Sequence, residues 1–306
     1  MTEVRTVAVI GAGIMGRGIA HAAALGGYRT ILEDLFPNAL RKAETEIRAS
    51  LDHAVKLGKV DAADADAAFS RLEYAGSVDE AARQADLVIE AVPDEMESKL
   101  EIFIMLDKFC RPATILAANT YSLSVTEIAS ATYRAKQCVG MRFFNPVHMM
   151  KVLEVVRALK TDDDTLAAVV EVGKRMRKEV VVIKEAPGFI TSRINAMIGN
   201  EAFYMLQEGI AGAEDIDKAL KFGLNHPMGP FELVDLVGLD TRLHILEYLH
   251  KTLGEKFRPC PLLVQYVKAG RLGRKSGRGV FEYPESQGSS SIKGLKTAGL
   301  SHFPRC

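Results

Sequence analysis

Residues 6–16 run Thr6-Val7-Ala8-Val9-Ile10-Gly11-Ala12-Gly13-Ile14-Met15-Gly16, a short β-branched apolar stretch that ends in a G-x-G-x-x-G turn. This pattern is typical of a buried parallel strand, and the alanine-rich residues 17–25 that follow are typical of a helix. Glycines at these positions permit a tight turn, close approach to a pyrophosphate, and close packing of the helix on the strand. The free N–H groups at the helix N-terminus also favour an anion. The pattern therefore predicts a dinucleotide site built from Gly11, Ala12, Gly13, Ile14, Met15 and Gly16.

A carboxylate follows the second predicted strand, residues 29–32. This residue is Asp34, which lies 23 positions after Gly11. A carboxylate there accepts hydrogen bonds from the ribose hydroxyls of NAD and repels the 2′-phosphate of NADP. We therefore expect NAD as the cofactor, although Arg29 and Arg41 lie near enough in the sequence to weaken the preference.

Composition excludes several classes of protein. The 306 residues carry 39 basic and 39 acidic side chains, so the formal charge is zero and no basic block points to nucleic acid. No stretch of about 18 apolar residues predicts a membrane span. The four cysteines lie far apart in the sequence, at Cys110, Cys138, Cys260 and Cys306. This spacing excludes a C-x-x-C pair and a zinc cluster, and scattered thiols fit a reducing cytoplasm. We expect no metal.

The order of predicted elements indicates two domains. Strands and helices alternate through residues 1–186, which predicts an α/β, Rossmann-type doubly wound sheet, with a pair of exposed helices projecting at about 38–72. Residues 187–285 are helical in period and predict an all-helical C-terminal domain, with one helix over residues 231–251. Its apolar faces exceed what one small bundle buries, so we expect a homodimer. Residues 286–306, rich in serine and glycine, predict a disordered tail.

Further segments make the chain resemble the 3-hydroxyacyl-CoA dehydrogenase family, the 3-hydroxybutyryl-CoA dehydrogenases in particular. They follow the family's order and spacing over residues 5–283: Ala118-Asn119-Thr120, Arg142-Phe143-Phe144-Asn145-Pro146, Leu153-Glu154-Val155, Pro187-Gly188-Phe189-Ile190, Pro227-Met228-Gly229-Pro230-Phe231-Glu232-Leu233 and residues 270–283. The resemblance implies a Rossmann domain, a helical dimerising domain, and NAD-dependent oxidation of the 3-hydroxyl of an acyl-CoA substrate.

The resemblance also implies binding residues. Asp94, Lys99 and Asn119 fall where the family contacts NAD, and Asn145 falls at the nicotinamide end. On the inserted helices, Ser50 matches a coenzyme A contact, and Lys56 and Lys59 lie near enough to meet its phosphates.

The catalytic positions depart from the family. Its histidine, serine and asparagine are replaced here by Arg142, Tyr121 and Ser192, while the glutamate that orients the histidine remains as Glu154. Ser192 keeps a hydrogen-bonding group. Arginine stays protonated, so Arg142 cannot accept a proton from an alcohol as imidazole does.

Three interpretations of this site remain open. In the first, Arg142 polarises a carbonyl and Tyr121 exchanges the proton, with a pKa lowered by the neighbouring cation. In the second, Arg142 and Tyr121 bind the carboxylate of a small oxo or amino acid. In the third, the chain binds NAD and a ligand but turns over poorly. His148, six residues after Arg142, is either a substitute base or a solvated loop residue.

Overall fold

The computed structural model describes residues 3–283, which divide into two compact units at Phe189 and Ile190. The predicted tail, residues 286–306, lies outside the described residues. None of the described helices is both long and apolar enough to cross a lipid bilayer.

The first unit is built on a sheet of eight strands in the order β3-β2-β1-β4-β5-β6-β7-β8. The pairs are parallel except for β6 and β7, which are antiparallel. The strands are β1 (Thr6–Ile10), β2 (Arg29–Glu33), β3 (Leu72–Ala75), β4 (Leu87–Glu90), β5 (Ile115–Ala118), β6 (Cys138–Arg142), β7 (Val152–Arg157) and β8 (Glu179–Lys184). The strand order reverses between β1 and β4, because β2 and β3 lie on one side of β1 whereas β4 and β5 lie on the other. Open α/β sheets bind ligands at such a point, outside the carboxyl ends of the strands.

Helices cover both faces of this sheet. They are α1 (Ile14–Leu25), α2 (Pro37–Lys56), α3 (Ala62–Ser70), α4 (Val78–Ala82), α5 (Met96–Phe109), α6 (Val125–Ser130) and α7 (Asp163–Arg175). One apolar core packs α1 against one face and includes Ile19 and Leu32, and the other face packs Phe103 and Leu106 of α5. The predicted doubly wound architecture is confirmed.

The inserted helices α2 and α3 form where the sequence predicts a pair of helices, and most of their residues are not buried. One face of the pair packs on the unit, because Ile47 and Leu51 of α2 and Ala68 of α3 are buried in the core beside α1. Strand β3 and helix α4 were missed. Strand β3 is a four-residue edge strand in which only Ala75 is fully buried, so it lacks the apolar run of a central strand.

The second unit is helical. Its helices are α8 (Thr191–Gln207), α9 (Ala213–Gly223), α10 (Pro230–Val237), α11 (Leu239–Leu253) and α12 (Pro261–Lys268), which surround a core that includes Phe203 and Phe231. The sequence predicted one helix over residues 231–251, whereas the structure breaks it at Gly238. Gly238 has a φ of 107°, a conformation that L side chains rarely adopt, so α10 ends there and α11 begins in a new direction.

Candidate active site

The glycine turn joins β1 to α1 with the geometry of a dinucleotide loop. Gly11 has a φ of 96°, and a Cβ on Gly16 would lie 1.7 Å from the carbonyl oxygen of Gly11, so both positions require glycine for the fold itself. Gly13 differs, because no described atom lies within 4 Å of a Cβ built there. Gly13 caps α1 with no side-chain hydrogen bond, which leaves open space before the helix N-terminus. This space suits a pyrophosphate.

Asp34 braces the glycine turn. Its Oδ2 accepts a hydrogen bond from the Ala12 amide at 2.9 Å, and its Oδ1 accepts one from the Phe36 amide at 2.9 Å. Each carboxylate oxygen retains further acceptor capacity for a ribose hydroxyl. Arg29 lies at the opposite end of β2, where Glu73 holds its guanidinium with two contacts of 2.6 Å. The guanidinium of Arg29 is therefore not available beside Asp34 to attract the 2′-phosphate of NADP.

A buried ion pair supports the loop after β4. The Lys99 ammonium donates to Glu90 at 2.8 and 2.9 Å and to the carbonyl oxygen of Asn119 at 3.0 Å. Both side chains are fully buried, and burial raises the pKa of Glu90 to about 7, against the lowering effect of Lys99. Asp94 lies 3.5 Å from the same ammonium. Lys99 therefore has no surface with which to touch a ligand in this structure, and it acts on the site by fixing Asp94 and Asn119.

The loop after β5 is held between its neighbours. The amide of Tyr121 donates to Asp94 Oδ2 at 3.0 Å, and the amide of Phe143 donates to Asn119 Oδ1 at 3.1 Å. These bonds connect the carboxyl ends of β4, β5 and β6. Asp94, Asn119 and Tyr121, which lie far apart in sequence, are thus brought to one edge of the sheet.

Arg142 and Glu154 form a buried pair across the antiparallel strands β6 and β7. They are direct partners in the strand register, and Arg142 Nη1 lies 2.7 Å from Glu154 Oε2. The guanidinium also stacks 4.2 Å from the ring centre of Phe144 and lies 6.0 Å from that of Tyr121. Burial lowers the pKa of Arg142 and Glu154 raises it, and the guanidinium remains charged near neutral pH.

The pKa of Tyr121 is shifted in the direction opposite to the one expected from its neighbour. Arg142 does lower it, but burial and the charge of Asp94 raise it more, so the pKa lies above the usual value of 10.0. The sequence identified the cation and missed the burial and the carboxylate. The Tyr121 hydroxyl is therefore protonated near neutral pH.

The other predicted residues lie in separate places. Ser50 and Asn145 line one cavity of the first unit, whereas Lys56 is exposed at the end of α2. Ser192 is buried in the first turn of α8, in the second unit. Two residues of this region were not predicted, Glu90 and Phe144. An acidic residue that ends the buried run of β4 was the available signal for Glu90.

Comparison with known proteins agrees with this geometry. The profile of the 3-hydroxyacyl-CoA dehydrogenase NAD-binding domain matches residues 6–186, and that of the family's C-terminal domain matches residues 188–283. The chain belongs to the 3-hydroxyacyl-CoA dehydrogenase family. NAD is accordingly its cofactor, and the open cradle before Gly13 and the carboxylate of Asp34 fit that molecule.

Individual members of the 3-hydroxyacyl-CoA dehydrogenase family align over nearly their whole length. The chain is 44% identical to a probable 3-hydroxybutyryl-CoA dehydrogenase of Bacillus subtilis, over 92% of this chain and 99% of the relative. A 3-hydroxybutyryl-CoA dehydrogenase of Bradyrhizobium diazoefficiens is 43% identical, over 92% of this chain and 96% of the relative. The crystal structure of (S)-3-hydroxybutyryl-CoA dehydrogenase from Ralstonia eutropha superposes with a TM-score of 0.89 at 40% identity, covering 92% of this chain and all of that one.

Proposed function

We propose that this chain catalyses the reversible, NAD-dependent oxidation of a short-chain 3-hydroxyacyl-CoA, such as 3-hydroxybutyryl-CoA, to the 3-oxoacyl-CoA. The observation that carries the proposal is the assembly, at one edge of the sheet, of an Asp34-braced glycine turn and the Arg142–Glu154 pair. The relatives named 3-hydroxybutyryl-CoA dehydrogenases support the choice of substrate.

The reaction removes a hydride from C3 and a proton from its hydroxyl. NAD, when bound, supplies the hydride acceptor. Because Arg142 cannot accept the proton, we assign it to the phenolate oxygen that Tyr121 carries when deprotonated, and Arg142 lies 6.0 Å from the ring centre of this tyrosine. The Arg142 charge would orient the substrate oxygen and stabilise negative charge on it, and Glu154 would position Arg142. Ser192 would supply a further hydrogen bond to the substrate, a role that rests on the resemblance alone.

The binding roles divide along the sheet edge. We assign the pyrophosphate to the turn of residues 11–16, the ribose to Asp34, and the nicotinamide end to Asn119, Asp94 and Asn145. Lys99 contacts the carbonyl oxygen of Asn119 and the carboxylate of Asp94, and so it holds the loops of these two residues in place. Ser50 and Lys56 would contact coenzyme A from α2.

The pairing of Arg142 argues against a free carboxylic acid as substrate. Glu154 already neutralises the guanidinium from 2.7 Å, so a second carboxylate would meet an acidic neighbour in a site where both partners are buried. Such like-charge contact disfavours the ionised form of both acids. A thioester carbonyl carries no such charge.

We also propose that the protein is a cytoplasmic homodimer. Helices of the second unit expose large apolar side chains, which supports a protein interface there: Ile194, Met197, Phe222, Leu224, Leu236 and Val237. Cys110, Cys138 and Cys260 are free, buried thiols, which suits a reducing compartment.

The test is an assay of NADH consumption with acetoacetyl-CoA, run beside an NADH binding titration. Turnover of the thioester supports the proposal. Tight NADH binding without turnover of this substrate, or turnover of a free oxo acid in its place, would contradict it.

A further inference from the structure

A cavity of about 180 Å³ lies within the first unit, between α1, α2 and the loop that follows β6. Its lining brings together residues from all three segments: Ile14, Arg17, His21, Ser50, Asn145 and His148. Two of these, Ser50 and Asn145, are the residues assigned above to coenzyme A and to the nicotinamide end. Any molecule that spans those two contacts therefore passes through this cavity.

Two histidines form one wall of the cavity. The rings of His21 and His148 are stacked, with centroids 5.7 Å apart and an angle of 18° between their planes. His21 is buried, its Nε2 has no hydrogen-bond partner among residues 3–283, and burial lowers its pKa to about 4. His148 is exposed, and burial of part of its ring together with Lys178, Lys59 and His53 lowers its pKa. Both rings are thus neutral near pH 7.

The loop that carries His148 is fixed in place. The Lys178 ammonium donates to the carbonyl oxygens of Met150, at 2.8 Å, and of Val147. On the other side, the loop packs so closely on α1 that a Cβ on Gly18 would lie 2.9 Å from Val147 Cβ. His148 is therefore an exposed loop residue, in agreement with one of the two interpretations of the sequence, and a braced backbone presents it to the cavity.

The substrate segment between the thioester and the nucleotide of an acyl-CoA is the pantetheine arm, whose polar groups are amides and a hydroxyl. A neutral imidazole offers one donor and one acceptor, which matches an amide. We propose that His148 hydrogen-bonds an amide of the pantetheine arm and that His21 positions His148 by stacking. This inference rests on the proposed function, since it names a residue for binding the same substrate.

The experiment compares acetoacetyl-CoA with acetoacetyl-pantetheine, which lacks the nucleotide, in His148→Ala and His148→Gln. Loss of one hydrogen bond should raise KM about tenfold in His148→Ala for both substrates, with kcat and the Kd for NADH unchanged. The glutamine amide in His148→Gln also donates and accepts a hydrogen bond, so KM in this variant should be close to that of the unmodified protein. His250→Ala, which removes a histidine of the second unit that contacts Glu255 at 3.1 Å, is the matched control and should change neither constant.

His21 is tested by two variants of the same position. His21→Ala removes the stacking partner and should raise KM as His148→Ala does, whereas His21→Phe keeps a flat ring and should leave KM near that of the unmodified protein. Because His21→Phe retains the ring volume, it also separates loss of stacking from general loss of packing.

Three results would overturn the inference. The first is an unchanged KM in His148→Ala with both substrates. The second is an effect with acetoacetyl-CoA alone, which would place His148 at the nucleotide. The third is a fall in kcat at constant KM, which would make His148 a base. If the unmodified protein neither binds coenzyme A nor reduces acetoacetyl-CoA, the proposed function itself is contradicted, and this inference with it.

Discussion

Arg142 and Glu154 face each other in register across β6 and β7, with Nη1 and Oε2 2.7 Å apart. The pair preserves the arrangement in which the family's glutamate orients its catalytic side chain, but the side chain that is oriented is a permanent cation. A permanent cation can bind and orient a substrate oxygen at this position, but it cannot accept a proton. General acid–base catalysis contributes about 10²–10⁴-fold, which sets the scale of the expected deficit.

Asp34 is expected to determine cofactor choice. Asp34→Ala should weaken NADH binding by about 1.5–3 kcal/mol, because it removes a charged acceptor for the ribose and the brace on Ala12. Asp61→Ala, an exposed acidic position before α3, is the control and should bind normally. The measurement is calorimetric titration with NADH and NADPH. Equal affinity of the unmodified protein for both cofactors would refute the assignment.

The pH dependence of alcohol oxidation should report Tyr121. A base must be deprotonated to accept the proton, and burial with Asp94 raises the pKa of this tyrosine above 10.0. The rate of 3-hydroxybutyryl-CoA oxidation should therefore keep rising with pH between about 7 and 10, and Tyr121→Phe should abolish that rise. A plateau reached near neutral pH would point to a histidine base instead.

Lys99 is expected to matter for stability more than for contact with a ligand. Lys99→Met leaves the Glu90 carboxylate buried without its cation and should cost about 3–5 kcal/mol in the free energy of unfolding. Lys42→Met removes an exposed ammonium 3.9 Å from Glu46 and should cost less than about 0.5 kcal/mol. Urea denaturation measures both. Similar stabilities for the two variants would show that the buried pair contributes little.

The second unit should form a twofold interface. Light scattering at micromolar concentration should give twice the mass of one chain, because Phe222 and Leu236 are otherwise exposed to water. Phe222→Glu should weaken the dimer, whereas Ile104→Glu, at an exposed apolar position of the first unit, should not. A scattering mass equal to that of one chain, unchanged as the protein concentration is raised, would contradict this prediction.

The sequence was sufficient where periodicity and glycine geometry act locally. The strand–turn–helix of residues 6–25 and the helix Met96–Phe109 were predictable, since their signals lie within a few residues of one another. Strand β3 was missed because a short edge strand buries too little to show an apolar run, and the break at Gly238 was missed because a glycine inside a helical pattern does not reveal its φ.

Properties of the site that depend on residues distant in sequence were harder to predict from the sequence. The sequence placed Arg142 beside Glu154 through the resemblance, but the burial and the Asp94 carboxylate that set the pKa of Tyr121 come from a separate loop. The Glu90–Lys99 pair and the stack of His21 on His148 likewise join residues whose partnership only the fold reveals.

The measurement that tests the account most directly is the turnover of acetoacetyl-CoA with NADH by Arg142→His. An imidazole held by Glu154 can exchange a proton where the guanidinium cannot, so kcat should rise, by up to about 10²–10⁴-fold. Tyr121→Ser in the same chain should add to the gain by freeing space beside the new imidazole. A fall in thioester turnover after Arg142→His would contradict the account, because it would show that charge stabilisation by the guanidinium contributes more at this position than proton exchange by an imidazole.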